Sequence, residues 1–349
     1  CTSAFRAVRG AWFAIKMNNM EASTSTQRDV IIGTTCVCLL LAVWLNKKWR
    51  SLPVKYFDDG DLVVITGAAG GVGRELSLAF GRKGATLVLW DIRQDALAKT
   101  AEWLEAEGIP SDHVRTSVVD VSNVKEVKDA AESLKALEGK APRIVINNAA
   151  TLSGKSILDS SDEEILASFS VNVLAAFGLV KYFVRQMIDD PSPRGGGVVV
   201  TVGSIMADIP CARLSDYCAS KAALSQLHAC LRWELRSIPK AHGVKSLLIQ
   251  PYAIRTPMFS GAVFLEGGGN GICHWFLSLF QFFLPPLEPA HVAKRIVTAI
   301  QNGEEHVYIP FVIGWIPFIL KLLPTPINDV LLSLVGASDG MHGYHGRSQ

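Results

Sequence analysis

Cysteine is scarce: seven residues in 349, an odd number, scattered at positions 1, 36, 38, 211, 218, 230 and 273. None form C-x-x-C and none stand at zinc spacing with histidines, so neither a disulfide framework nor a common zinc module is expected. Reduced thiols in a cytosol-facing protein fit this usage. Charge of one sign is equally lacking: 34 Lys and Arg against 32 Asp and Glu leave a net +2. No global basic field argues for nucleic acid. Internal repeats and long low-complexity segments are missing too. Two domains, or one α/β domain with extensions, remain. No metal is expected, because His342 and His345 in the Gly-rich terminus are two ligands where a site needs three or four.

Apolar residues are what the chain has in excess. They make up 49% of it, and the mean hydropathy is +0.26. The run Val30–Leu45 carries no charge. As a helix it spans roughly 24 Å at about 1.5 Å per residue, short of a hydrocarbon core of about 30 Å. Lys47, Lys48 and Arg50 follow it, and Trp44 and Trp49 flank its edge. A cleaved signal peptide carries its positive charge before the apolar run, and here the order is reversed. Residues 30–46 are therefore read as a membrane anchor with the rest of the chain in the cytosol; a cleaved signal and a buried helix are the rivals. Residues 1–29 begin on Cys1, with Met17 and Met20 as candidate starts, and carry no weight. Two later apolar stretches, Cys273–Leu287 and Ile309–Gly336, are broken by Pro or Gly. Core, a lipid-substrate pocket, or a surface dipping into a bilayer are the alternatives for them.

Between residues 61 and 310, strand-length apolar runs alternate with helical patterns. The runs are Leu62–Thr66, Thr86–Trp90, Val114–Val119, Arg143–Asn147, Val198–Val202, Lys245–Gln250 and His306–Ile309. Several are apolar throughout, as strands covered on both faces must be. Helical patterns include Asp95–Glu107, Asp162–Asp189 and Ser215–Ile238. The alternation predicts an α/β fold, a doubly wound parallel sheet of about seven strands. Residues 311–349 are read as an apolar extension of it.

"TGAAGGVG" (Thr66–Gly73) follows the first strand and opens a helix. Glycines at 67, 71 and 73 allow a tight turn and let a pyrophosphate approach unpaired helix N–H groups. Ala69 and Val72 belong to the same loop. Asp91 ends the second strand, followed by Ile92. A carboxylate there accepts hydrogen bonds from ribose hydroxyls and repels a 2′-phosphate, which favours NAD without excluding NADP. A turn or helix cap is its structural alternative. Asp120 and Val121 end the third strand, to meet adenine or to cap the helix that follows. "NNAA", with Asn148 and Ala149, ends the fourth.

Ser204 ends the fifth strand, and Tyr217 and Lys221 lie four apart on the next helix, on one face of it. Asn172 lies in the long helix before. Each alone has a dull explanation as strand end, surface Tyr, solvated Lys or polar helix residue.

With "TGAAGGVG", "NNAA", Ser204 and "YCASK", the chain resembles the classical short-chain dehydrogenase/reductase family over residues 61–310. "LVLWDI", "DYCASK", "IRTPMF", the N-terminal anchor and "DGMHGYHGR" are similar to its membrane-bound retinol and 17-beta-hydroxysteroid dehydrogenases. The resemblance implies a Rossmann fold, Tyr217 as general acid/base, and Lys221 lowering its pKa and holding the nicotinamide ribose. It further implies Ser204 holding the substrate oxygen and Asn172 holding a relay water. Pro251, Ile254 and Thr256 would border the nicotinamide. One departure stands out: Pro251-Tyr252 occupies the place of the family's Pro-Gly. Residues 253–287, apolar and hinged at Glu266–Gly271, are expected to form the substrate lid, suited to a lipophilic alcohol. Retinol comes first and a steroid or other lipid alcohol second. A homodimer, an endoplasmic reticulum or lipid-droplet membrane, and a non-catalytic NAD-binding scaffold or sensor complete the readings.

Overall fold

The apolar runs of the middle segment pair side by side in the computed structural model, which describes residues 58–190, 196–262, 284–334, 336–338, 340–341 and 344. The strands are β1 (Leu62–Thr66), β2 (Thr86–Asp91), β3 (Val114–Val118), β4 (Ile144–Asn147), β5 (Gly197–Val202), β6 (Val244–Pro251) and β7 (His306–Ile309). They form one sheet in the order β3-β2-β1-β4-β5-β6-β7. Every neighbouring pair is parallel. The sequence-based strand limits differ from these by one residue at most. β3 lies at the sheet edge, and its last three residues are exposed.

The helices are α1 (Gly71–Gly81), α2 (Gln94–Ala106), α3 (Val124–Glu138), α4 (Asp162–Ile188), α5 (Ser215–Ser237), α6 (Pro289–Gln301), α7 (Trp315–Leu322) and α8 (Thr325–Leu334). β1 shows why its run has no polar alternation. Val63 and Ile65 enter a core shared with α1, α2 and α6. Leu62 and Val64 enter a second core shared with α3, α4 and α5. Burial on both faces demands apolar residues at every position. Trp90 and Phe183, both buried, meet in the second core with ring centroids 5.7 Å apart.

Local signals set the helix ends. Asn123 caps α3 by accepting from the amides of Lys125 and Glu126, and Gly139 at φ 66° ends it. Ser161 and Glu164 form a capping box at the start of α4. α1 differs: its N-cap is Gly70, without a side-chain bond, and its first turn holds no acid. α4 contains two π turns, Ser170–Leu174 and Val180–Val184. It is long and apolar enough to cross a membrane, but Ala175, Leu179, Phe183 and Met187 bury it against the sheet.

Near the end of the described chain, α7 and the turn before it bury Ile313 and Pro317 but leave most of their large apolar side chains outside the core. Phe311, Trp315, Phe318 and Leu322 are exposed. The expected anchor (residues 30–46) and the two terminal histidines lie outside the described residues, as does most of the expected lid, residues 263–283. The two ends of that lid are held together: Leu287 N–H donates to Ala253 O at 2.8 Å and Arg255 N–H to Leu287 O at 2.9 Å.

Strand order reverses between β1 and β4. Crossovers leave in opposite directions there, opening a crevice beyond the carboxyl ends of the strands.

Candidate active site

The crevice is a cleft of about 400 Å³. At one end, β1 turns through Gly67, at φ 63°, into α1. A Cβ on Gly67 would come within 2.9 Å of Ala149 Cα, and one on Gly73 within 2.2 Å of Gly67 O. A Cβ on Gly71 would come within 2.7 Å of the Thr256 methyl. Side chains at these positions would fill the turn or force it apart. Asn148 fixes the turn from the β4 side: its Nδ2 donates to Thr66 O at 2.9 Å and Gly67 O at 3.2 Å. The Thr66 hydroxyl accepts from the amides of Asn148 and Ala149. First-turn amides of a helix have no partner within it, and with no acid in the first turn of α1 they favour an anion.

Asp91, buried at the end of β2, uses both oxygens. Oδ2 accepts from the Ala69 amide at 3.0 Å; Oδ1 accepts from Arg93 N at 3.1 Å and Arg93 Nε at 3.2 Å. It therefore caps the turn and also ties β2 to the glycine loop, while lining the cleft with Ile92. The N-cap of α2 is Arg93, not Asp91. Asp120 lines the cleft with Val121, but β3 ends earlier, at Val118. Nor does Asp120 cap α3. It accepts from Ser122 N–H and O–H at 2.9 and 2.7 Å, and Asn123 takes the cap because it immediately precedes the helix.

At the other end, Gly203 leads β5 into Ser204, whose Oγ accepts from the Met206 amide at 3.1 Å. Tyr217 and Lys221 stand on the first turns of α5, both almost fully buried. Lys221 Nζ donates to Val202 O at 2.9 Å and lies 5.3 Å from the Tyr217 ring centroid. Burial pulls the Lys221 ammonium down to about 8. The sequence reading expects Lys221 to lower the Tyr217 phenol; the protein by itself does the reverse. Burial pushes it up, and a side-chain hydrogen bond shared with Ser204 offsets only part of this. The cation lies along the ring and is itself desolvated.

Ser204, Tyr217 and Lys221 line the same cleft as the glycine loop, and Pro251, Ile254 and Thr256 border it from the β6 side. Ala69, Gly73 and Asn172 are not on its wall. Ala69 serves through its amide to Asp91, and Gly73 through the space it leaves. Asn172 sits behind, in a π turn, donating from Nδ2 to Thr151 O and Ser220 Oγ and accepting from Thr151 N, each at 2.9 Å. Both Nδ2 hydrogens are spent on protein, which leaves a lone pair on Oδ1 as the side chain's open capacity.

Sequence reasoning missed Met206, Leu214 and Gln250; Phe259 falls within the expected lid, and Tyr252 is the departure already noted. Met206, Leu214 and Phe259 give the cleft an apolar wall beside Tyr217, and Phe259 meets the Tyr217 ring edge-on, centroids 5.8 Å apart. Tyr252, the residue in place of glycine, also lines it, with its phenol pushed up to about 12 by burial. Gln250, beneath Ser204, donates from Nε2 to Ser204 O at 3.1 Å and to Asp208 Oδ2 at 3.0 Å, while its Oε1 is hydrogen-bonded to His306. Its placement after an apolar strand was a signal, since a buried amide at a strand's carboxyl end must find partners.

The cleft fits a dinucleotide. It offers a side-chain-free cradle with unpaired amides, a carboxylate at the end of β2, and a hydroxyl, phenol and ammonium grouped where a substrate oxygen can exchange a proton.

Comparisons with known proteins agree. The family model "short chain dehydrogenase" matches residues 61–263. Retinol dehydrogenase 10-B of Danio rerio is 32% identical over 319 residues, 86% of this chain and 90% of that protein. Epidermal retinol dehydrogenase 2 of Mus musculus is 31% identical, covering 83% of this chain and 87% of that one. A crystal structure of a short-chain dehydrogenase/reductase from Burkholderia phymatum in complex with NAD superposes with a TM-score of 0.61 at 26% identity, over 79% of this chain and 95% of that one. The chain belongs to the short-chain dehydrogenases, oxidoreductases that act on alcohols with NAD or NADP.

Proposed function

We propose that the protein interconverts a lipophilic alcohol and its carbonyl with NAD as preferred cofactor, all-trans-retinol and retinal being the first candidate pair. One observation carries this reading: Ser204, Tyr217 and Lys221 converge on an apolar wall in the cleft that holds Asp91 at its far end. The retinol dehydrogenases named above support the retinoid, with a 17-beta-hydroxysteroid or another lipid alcohol as the second choice.

Gly67, Gly71 and Val72 would hold the pyrophosphate, with Gly73 keeping the turn open for it; Asp91 would hold the adenine ribose, and Asp120 with Val121 the adenine. Asn148, Ala149, Pro251, Ile254 and Thr256 border the nicotinamide. When bound, the cofactor supplies the hydride acceptor or donor. Ser204 donates a hydrogen bond to the substrate oxygen and holds it beside Tyr217. Tyr217 moves the proton. Its raised pKa makes the isolated phenol a poor base, so the Lys221 cation must stabilise the phenolate during transfer. Asn172, through its remaining lone pair, places the water that refills the relay.

Exposed apolar residues on α7 and the uncharged run at 30–45 support membrane attachment, at the endoplasmic reticulum or lipid droplets, with the catalytic domain in the cytosol. Exposed Leu166, Leu174 and Phe177 on α4 and Trp233 on α5 support a homodimer through those helices.

The test uses membranes from cells expressing the chain, supplied with all-trans-retinol and NAD or NADP, with retinal measured by chromatography beside a steroid panel. The expected result is retinal formed with NAD, and a loss of roughly 10²–10⁴ in Tyr217→Phe. A protein that binds NADH yet turns over no retinoid, steroid or lipid alcohol would be a sensor or scaffold instead.

A further inference from the structure

The C-terminal segment returns to the site from more than a hundred residues away. Three contacts bring it there, each on a different loop. Ala212 N–H donates to Ala337 O at 2.8 Å, and the next residue, Arg213, sits at φ 63°, a region that non-glycine residues avoid. Leu214, the residue after that, is fully buried and is the N-cap of α5. Met341, 1% exposed, joins Leu214, Tyr217, Ala253 and Ala262 in a small core separate from the two that flank the sheet. The Tyr344 ring packs on Gly154, at φ 71°, where a Cβ would come within 2.0 Å of Tyr344 Cε1. The loop carrying Gly154 is itself tied to α5, because Ser153 N–H donates to Asp216 Oδ2 at 2.9 Å.

Met341 does not line the cleft; Leu214, Tyr217 and Ala253, which surround it, do. It backs the wall on which the phenol rests. A strained residue in a loop persists when its surroundings over-determine it. Here the hydrogen bond to Ala337 on one side and buried Leu214 on the other hold Arg213 in place, and with it the start of α5, two residues before Tyr217.

We propose that Ala337, Met341 and Tyr344 form a positioning brace for the substrate end of the site, with Met341 the positioning residue for Tyr217. The proposal rests on the reading of Tyr217 as the proton-transfer group. Met341 fills the space behind the phenol, so that rocking of the ring away from Ser204 is blocked. Shortening it opens a void in a core too small to close around it, and the phenol gains freedom.

The test compares the full-length protein with Met341→Ala and Met341→Leu. The readouts are kcat and KM for the alcohol, NADH affinity by fluorescence, and amide hydrogen exchange over residues 211–218. Met341→Ala should lower kcat by roughly tenfold or more, as misplacement of a reacting group does. NADH affinity should not change, exchange over 211–218 should accelerate, and Met341→Leu should restore kcat. If Met341→Ala does not fold, Tyr344→Ala, which keeps Met341 and removes only a partly buried ring at the edge of the small core, should give the same kcat loss. Unchanged kcat, or a loss of NADH affinity in proportion to it, overturns the brace. If the wild-type protein turns over no alcohol, the functional reading fails, while hydrogen exchange still decides whether the segment braces α5.

Discussion

Replacing Asp91 separates its observed bonds in the turn from its proposed contact with the adenine ribose. Asp91→Ala removes the acceptor of the Ala69 amide at 3.0 Å and the partner of Arg93 Nε at 3.2 Å. The bond to the Ala69 amide is part-buried, so losing it costs about 1 kcal/mol. Arg93 is 40% exposed on its side chain, so that ion pair adds less than about 1 kcal/mol. The thermal midpoint should therefore fall by only about 2–5 °C. The cofactor effect is larger. A charge pair at about 6 Å in a medium of effective dielectric about 20 interacts by roughly 3 kcal/mol, or about a hundredfold in affinity. Removing the carboxylate lifts that repulsion from a 2′-phosphate and frees Arg93 to face it. The ratio of kcat/KM with NADP to that with NAD should rise by roughly 10- to 100-fold, measured with the same alcohol. Asp91→Asn, which keeps an acceptor for one amide, should shift the ratio with less loss of stability. An unchanged ratio alongside the predicted small stability loss would refute the ribose assignment and leave Asp91 as a turn cap alone.

Two further outcomes follow from the same geometry. Lys221 titrates near 8 in the folded protein against an ordinary 10.5, so the unfolded chain holds more protons between those values. From this group the apo protein should gain about 1 kcal/mol as pH rises from 8 to 9; above that, Cys211 and Cys218, whose thiols burial pushes up to about 12 and about 11, act oppositely. Lys221→Met should abolish that gain and raise the midpoint at pH 7; because the raised thiols, and higher still the raised Tyr217 phenol, act oppositely, the scan by calorimetry stops at pH 9. Gly73→Ala would put a Cβ within 2.2 Å of Gly67 O, backbone that cannot give way. It should destabilise the fold by about 1–3 kcal/mol and abolish NADH binding in a fluorescence titration; normal binding would show that the β1–α1 turn is more tolerant than its packing implies.

Much of this was legible because the physics is local. β1 is a strand apolar at every position, and that marks burial on two faces before any partner is known. Tyr217 and Lys221 were found together because spacing on a helix fixes which residues share a face. Of the two readings of Asp120, the helix cap fell to Asn123, because only the backbone decides which polar residue stands immediately before the helix. The π turns around Asn172 left no mark in an apolar helical pattern. Arg213 at positive φ and Met341 behind Tyr217 could not be read at all, since both depend on packing between segments far apart in sequence. Gln250 is legible as a strand residue, but its role is not, because its partners, Ser204, Asp208 and His306, come from elsewhere in the chain.

The strand order carries a further consequence, for the newborn chain. β1, β2 and β3 pair only with one another until β4 is made, and each later strand joins the one made just before it. The sheet can therefore grow outward during synthesis without waiting for a distant partner. By Val121 the chain holds its glycine turn, Asp91 and Asp120; Ser204, Tyr217 and Lys221 emerge later. At translation rates of about 5–20 residues per second, the adenosine half of the crevice precedes its chemistry by seconds.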